Sequence, residues 1–176
     1  MQVFLIGYRA TGKSSVGREL AQGLDLPFYD TDELIVSRIG RTIKAFVAEK
    51  GWEAFRQEEK QVIREIASSE NVVVALGGGA ILNPENRERI RKGWVVWLTA
   101  GRETILKRMS ADPLNKENRP SLSEKNGGEE IQEILDERIP LYRQISDLQV
   151  DTEGKTIEAV TVEILGKMKL HNPEKM

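Results

Sequence analysis

The octapeptide Gly7-Tyr8-Arg9-Ala10-Thr11-Gly12-Lys13-Ser14 fits the phosphate-loop pattern GxxxxGK[ST] without a gap, and no other feature constrains the chain so strongly. The pattern works only where a strand runs into a helix. Its glycines let successive backbone N–H groups turn toward one anion, and the helix that follows presents the positive end of its dipole. The flanks satisfy that demand. Val3 to Ile6 is a short apolar run that reads as a buried strand, and Val16, Leu20 and Leu24 recur at helical spacing over residues 13–24. The stretch Ala10, Thr11, Gly12, Lys13, Ser14 and Ser15 is therefore expected to hold nucleotide phosphates. Lys13 would neutralise the β- and γ-phosphates, and the Ser14 hydroxyl would ligate Mg²⁺. The competing reading is a glycine-rich turn that matches by chance.

The rest of the chain repeats the alternation. Phe28-Tyr29-Asp30, Val72 to Leu76, Trp94 to Leu98 and Leu148 to Val150 read as short strands. Helical spacing predicts one or two short helices over 33–50, broken near Gly40, and further helices over 52–67, 84–91, 103–109, 129–142 and 157–168. Such an order predicts an α/β fold: a parallel sheet covered by helices on both faces, with ligands gathered beyond the carboxyl ends of the strands. Residues 1–170 are expected to form one domain, with 171–176 as a tail. Residues 111–128 are polar and carry no helical or strand period, which marks a long functional loop.

Composition removes several function classes. A net charge of −2 gives no bulk attraction to nucleic acid or to an anionic membrane. With no cysteine there is no disulfide, thiolate metal site or thiol nucleophile. The single histidine, His171, stands in the polar tail, so a general base must be a carboxylate, a lysine or a water. The start of the chain lacks the basic and apolar regions of a signal peptide, and no stretch nears the roughly 20 apolar residues of a membrane span. A cytoplasmic monomer is expected.

Three other places carry candidate chemistry. Asp30 and Asp32 flank Thr31 just past the second strand, so an extended chain would set both carboxylates on one side. One would hold Mg²⁺ through water and the other would meet a substrate hydroxyl, orient it and accept its proton. Helix capping by Thr31 or Asp32 is the competing reading, which spacing alone favours, and the two roles are compatible. Gly77-Gly78-Gly79 follows a buried strand directly, which suggests a close approach to the backbone. Arg56 and Arg138 lie in helical segments, where pairing with a neighbouring acid such as Glu59 is the default. Arg119, in the polar loop, is either a mobile surface residue or a cation that swings over the phosphates.

Taken together these blocks resemble the shikimate kinases. The resemblance runs from Val3 to about Met168. It rests on the phosphate loop, Asp30-Thr31-Asp32, Phe55-Arg56 to Glu59, Leu76 to Ala80, Arg119-Pro120 and Arg138 to Tyr142, in that order. It implies a P-loop fold like that of the nucleoside monophosphate kinases, with a five-stranded parallel sheet and a mobile lid at about 111–125. It implies ATP-dependent phosphorylation of the 3-hydroxyl of shikimate, in chorismate and aromatic amino-acid synthesis. By the same resemblance Asp32, Arg56, Gly78 and Arg138 bind shikimate, with the two arginines on its carboxylate. Asp32 is the base, Ser14 and Asp30 hold Mg²⁺, Arg119 is the lid arginine, Arg108 flanks the adenine and Lys155 lies near the nucleotide.

Overall fold

A computed structural model of the protein describes residues 1–112 and 127–171. Five strands, β1 (Gln2–Ile6), β2 (Phe28–Asp30), β3 (Val72–Ala75), β4 (Trp94–Thr99) and β5 (Leu148–Asp151), pair in parallel in the order β2-β3-β1-β4-β5. Parallel pairing needs a crossover after each strand, and helices supply it. They are α1 (Lys13–Leu24), α2 (Thr31–Ile39), α3 (Ile43–Ile66), α4 (Pro84–Ile90), α5 (Arg102–Ala111), α6 (Gly127–Ile145) and α7 (Ile157–His171), with one 3₁₀ turn at Ala80–Leu82.

Strand periodicity sorts the core into two layers. Val3 and Leu5, Val73, Val96 and Leu98, and Leu148 and Val150 face α1 and α7, where Val16, Leu20, Val160 and Ile164 meet them. Phe4, Ile6, Val72, Val74, Val95 and Trp97 face the other way, against Ile63 of α3 and Tyr142 and Ile145 of α6. Because the apolar residues of β1, β3 and β4 are buried on both faces, these strands read as continuous apolar runs rather than alternating ones.

All five strands run the same way, so their carboxyl ends share one edge. From that edge β1 emits the phosphate loop, β2 the Asp30–Asp32 segment and β3 the glycine turn. The fold predicted from the sequence is the fold observed, with one local difference. Helix α2 begins at Thr31, so Asp30 and Asp32 are not on one extended strand: Asp30 is the cap, and its carboxylate accepts from the Asp32 N–H at 2.9 Å. As the sequence predicts a new helix from residue 52, Gly51 (φ 81°, ψ 168°) is non-helical and divides α3 into two arms, and a small apolar cluster of Ile35, Ile43, Phe55 and Val62 locks α2 onto both.

Candidate active site

The phosphate loop is held open from within. Gly12 stands before α1 in the left-handed region (φ 93°) and offers no side-chain cap, so the first N–H groups of α1 face the loop's concavity. Ala10 also sits in the left-handed region (φ 57°), an uncommon conformation for a residue with a Cβ. Its carbonyl is pinned by Arg108, whose guanidinium donates to Ala10 O at 3.2 Å, to Thr152 Oγ1 at 3.0 Å and to Thr152 O at 3.1 Å. Arg108 thus ties the phosphate loop to the turn after β5. Thr11 points inward and donates to Tyr8 O at 2.9 Å. The Lys13 ammonium folds over the loop and donates to Gly7 O at 3.0 Å and Tyr8 O at 2.7 Å.

Ser14 Oγ donates to Asp30 Oδ2 at 2.5 Å, while Asp30 Oδ1 caps α2. A hydroxyl and a carboxylate beside the phosphate cradle are hard oxygen donors, the set that suits Mg²⁺. Among the described residues no cluster of three or more His, Cys, Asp or Glu side chains forms a metal cage. Mg²⁺ takes one or two protein oxygens and completes its shell with phosphate and water, and Ser14 Oγ with Asp30 can supply them. The residues therefore fit the ion.

Ala10, Gly12, Lys13, Ser14, Ser15, Asp30 and Asp32 line a cleft of about 620 Å³, together with Val36, Ser37 and Ile43. Asp32, Ile43, Gly77 and Gly78 are shared with an adjoining recess walled by Arg9, Trp52, Phe55, Arg56, Glu59, Gly79 and Arg138. Asp32 stands where the two meet. On one side is the phosphate loop, and on the other are three guanidinium side chains.

Two arginines of the recess are fixed by neighbours. Arg56 donates to Glu59 Oε2 at 2.7 Å and lies over the Trp52 and Phe55 rings, 5.4 and 5.3 Å from their centroids. Arg138 donates to Gly78 O at 2.9 Å, and the Tyr142 hydroxyl donates to the same carbonyl at 2.7 Å. Gly77 N–H donates to Thr31 Oγ1 at 2.9 Å, joining the glycine turn to the start of α2. The triple glycine now has a reason. A Cβ at Gly77 would lie 2.7 Å from Asp32 Oδ1 and 2.9 Å from Glu59 Oε1, and a Cβ at Gly79 would overlap the Arg56 guanidinium. Gly79→Ala should therefore displace Arg56 and raise KM for the acceptor on the order of 10–100-fold, with KM for the nucleotide little changed. Steady-state kinetics varying each substrate separately would check this; an equal rise in both would remove Arg56 from the acceptor side.

Glu59 is the most perturbed acid near the site. Its side chain is 2% exposed. Burial pushes the carboxyl up to about 7, against the pull of Arg56 and with a further push from the Asp32 charge. The folded chain thus holds a proton on Glu59 that the unfolded chain has released between its ordinary range and about 7. Stability falls as pH rises through that window, and the loss is complete above it. Glu59→Gln should stabilise the fold at pH 8 by on the order of 1–3 kcal/mol and have little effect near pH 4. Urea melts at the two pH values measure it, and a loss of stability at pH 8 would contradict the sign.

Asp32, Arg56, Gly78 and Arg138 are brought together as the sequence reading expects, as are Ala10 to Ser15 and Asp30. The Lys155 ammonium meets Glu163 Oε2 at 2.7 Å and lines neither cavity, while the Lys155 backbone N–H donates to Thr152 O in the turn that Arg108 ties to the phosphate loop. Arg119 and most of the expected lid lie outside the described residues. The close approach expected at Gly77-Gly78-Gly79 is observed at Gly77 and Gly79, whereas the sequence reading gives no role to Arg9 beyond the phosphate-loop pattern or to the Trp52–Phe55 platform, and reads Glu59 only as a helical partner of Arg56. The three-residue spacing of Arg56 and Glu59 was visible, but nothing local announces that Glu59 is buried.

A sequence profile for shikimate kinase matches residues 9–169. The chain belongs to the shikimate kinase family. A shikimate kinase of Syntrophus aciditrophicus (strain SB) is 44% identical over 176 residues, covering 95% of this chain and 90% of that protein. Among solved structures, the shikimate kinase from Acinetobacter baumannii in complex with shikimate superposes with a TM-score of 0.90 at 32% identity, covering 96% of this chain and 93% of that one. The Aquifex aeolicus shikimate kinase gives 0.79 at 32% identity, covering 96% of each chain. A gluconokinase from Sinorhizobium meliloti 1021, at a TM-score of 0.57 and 18% identity, shares the fold alone.

Proposed function

We propose that the chain is an ATP-dependent shikimate kinase that transfers the γ-phosphate of ATP to the 3-hydroxyl of shikimate. Membership of the family carries the activity. The observation that fits this chain to it is the placement of Asp32 between a phosphate cradle and a recess holding Arg56 and Arg138. Two guanidinium forks suit a carboxylate, which planar bidentate donors recognise better than a point charge does. The acid group of the acceptor sits against Arg56 and Arg138, with Gly78 beneath it. Its ring hydroxyls then turn toward Asp32 and the cleft.

Asp32 orients the reacting hydroxyl. That oxygen bonds to the γ-phosphorus, the bond from phosphorus to the β,γ-bridging oxygen breaks, ADP leaves and the hydroxyl proton passes to Asp32. Little covalent work is asked of the protein in such a transfer; position and neutralised charge supply most of the rate. Lys13 and the N–H groups at the start of α1 hold the β- and γ-phosphates. Ser14 and Asp30 would hold Mg²⁺, which when bound neutralises phosphate charge. Arg108, anchored on Ala10 and Thr152, flanks the base. Arg119 enters from its sequence position alone, as the lid cation over the transferring phosphoryl, with 111–125 as the lid. A nucleotide contact by Lys155 requires that it leave Glu163.

No described helix is long and apolar enough to cross a membrane. Location in the cytoplasm and action as a monomer complete the proposal, which needs no partner beyond ATP and shikimate. Phosphorus NMR of a reaction with ATP and shikimate tests it. A new phosphomonoester signal coupled to one ring proton is expected. Formation of inorganic phosphate alone would contradict it.

A further inference from the structure

We propose that Glu59 carries a proton when the acidic acceptor binds, and that this proton sets how firmly Arg56 and Arg138 grip the acceptor's carboxylate. The inference rests on the acceptor reading given above. It concerns a residue that need not touch the substrate: Glu59 is a positioning residue that acts through Arg56.

The geometry is that of a carboxyl enclosed with both signs of charge. Glu59 projects from α3 and is buried, with Oε2 bound to Arg56 on the same helix. Oε1 has no hydrogen-bond partner among the described residues. It converges with Asp32 Oδ1, from α2, on the space that a Cβ of Gly77 would fill. Arg138 approaches from α6, where Tyr142 is its neighbour, and Arg9 approaches from the phosphate loop. The 77–79 turn contributes no charge. The recess thus sets three guanidinium groups against two carboxylates.

An ionised oxygen buried without a donor is costly, and a protonated one is cheaper. Burial already holds this carboxyl near neutrality, at about 7. A carboxylate arriving at Arg56 and Arg138 adds a negative charge beside it and draws the Arg56 guanidinium away from Oε2. Both effects favour the neutral acid further. With Glu59 neutral the recess gains one unit of positive charge, and Arg56 has one fewer anion to share itself with. Binding and protonation are therefore linked. The acceptor binds more tightly to the protonated chain, and its binding takes up a proton. Of the groups around it, burial pushes the Tyr142 hydroxyl well above its ordinary range, so it keeps its proton throughout.

Calorimetric titration of shikimate into the full chain tests this, in buffers of small and large ionisation enthalpy between pH 6.5 and 9. Uptake of a fraction of a proton is expected near and above pH 7, with Kd weakening by up to about tenfold per pH unit in that window. In Glu59→Gln, which keeps an acceptor oxygen for Arg56, both the uptake and the slope should vanish. Binding by the unaltered chain without proton uptake would overturn the inference and leave the acceptor reading intact. Uptake that persists in Glu59→Gln would assign the proton to another group and overturn it too. Absence of any shikimate binding would overturn the acceptor reading and this inference together. Should Glu59→Gln fail to fold, infrared difference spectra of the unaltered chain decide. A protonated-carboxyl band growing in on shikimate binding is expected, and its absence contradicts the proposal.

Discussion

Asp32→Asn should lower kcat on the order of 10²–10⁴-fold, the range that a positioned general base contributes. Asparagine keeps the size and one acceptor oxygen of aspartate but takes no proton. It also puts an amide donor where the acceptor hydroxyl must donate. Nucleotide binding should survive, because the phosphate cradle uses Lys13, Ser14 and backbone N–H groups. The helix cap should survive too, since Asp30 and not Asp32 fills that role. KM for ATP within a few-fold of its original value, with kcat collapsed, is the signature. Turnover within a factor of three of the original would reduce Asp32 to a binding contact.

Lys13→Met is the second large effect. The ammonium donates to the loop's own carbonyls, Gly7 O and Tyr8 O. It is thereby held over the place where the phosphates lie. Charge placed in advance where charge develops contributes on the order of 10²–10³ in rate when one such donor is removed. Methionine keeps most of the aliphatic stem, so kcat/KM for ATP should fall by at least that factor with the fold intact. Equal loss for ATP and shikimate is expected in kcat, but the shikimate dissociation constant measured without nucleotide should hardly move. A variant that also fails to bind shikimate would show that Lys13 organises the whole edge of the sheet.

The ease with which this site can be read from sequence follows from how local its parts are. The phosphate loop, the strands beside it and the order of the sheet are legible because each depends on a few consecutive residues: glycines at fixed offsets, then an apolar period of 3.6. Asp30 and Asp32 were legible as a pair but not in their division of labour. Which residue caps a helix turns on where the helix takes up, and here it takes up at Thr31, before the residue 33 that helical spacing suggests. Arg56 and Arg138 could be named only through resemblance, because 82 positions separate them and their meeting is a property of α3 and α6 packed on one face of the sheet. Glu59 shows the limit most clearly. As a string it is the acid three residues after an arginine, the commonest of surface pairs. Burial, with a further push from the Asp32 charge, makes it a proton-carrying group, and the glycine turn and Asp32 that lie beside it come from other elements. The same holds for Arg9, which reads as an arbitrary residue inside the phosphate-loop pattern until the loop is seen to border the recess.

The central claim is that one edge of the sheet joins a phosphate cradle to a recess for a hydroxylated cyclic acid. Release of ADP, followed by a coupled assay with shikimate, quinate and gluconate offered separately alongside ATP and Mg²⁺, tests it most directly. Shikimate should stimulate ADP release far above the rate without acceptor, and gluconate, lacking the ring, should not. Release of ADP that shikimate leaves unchanged would contradict the account.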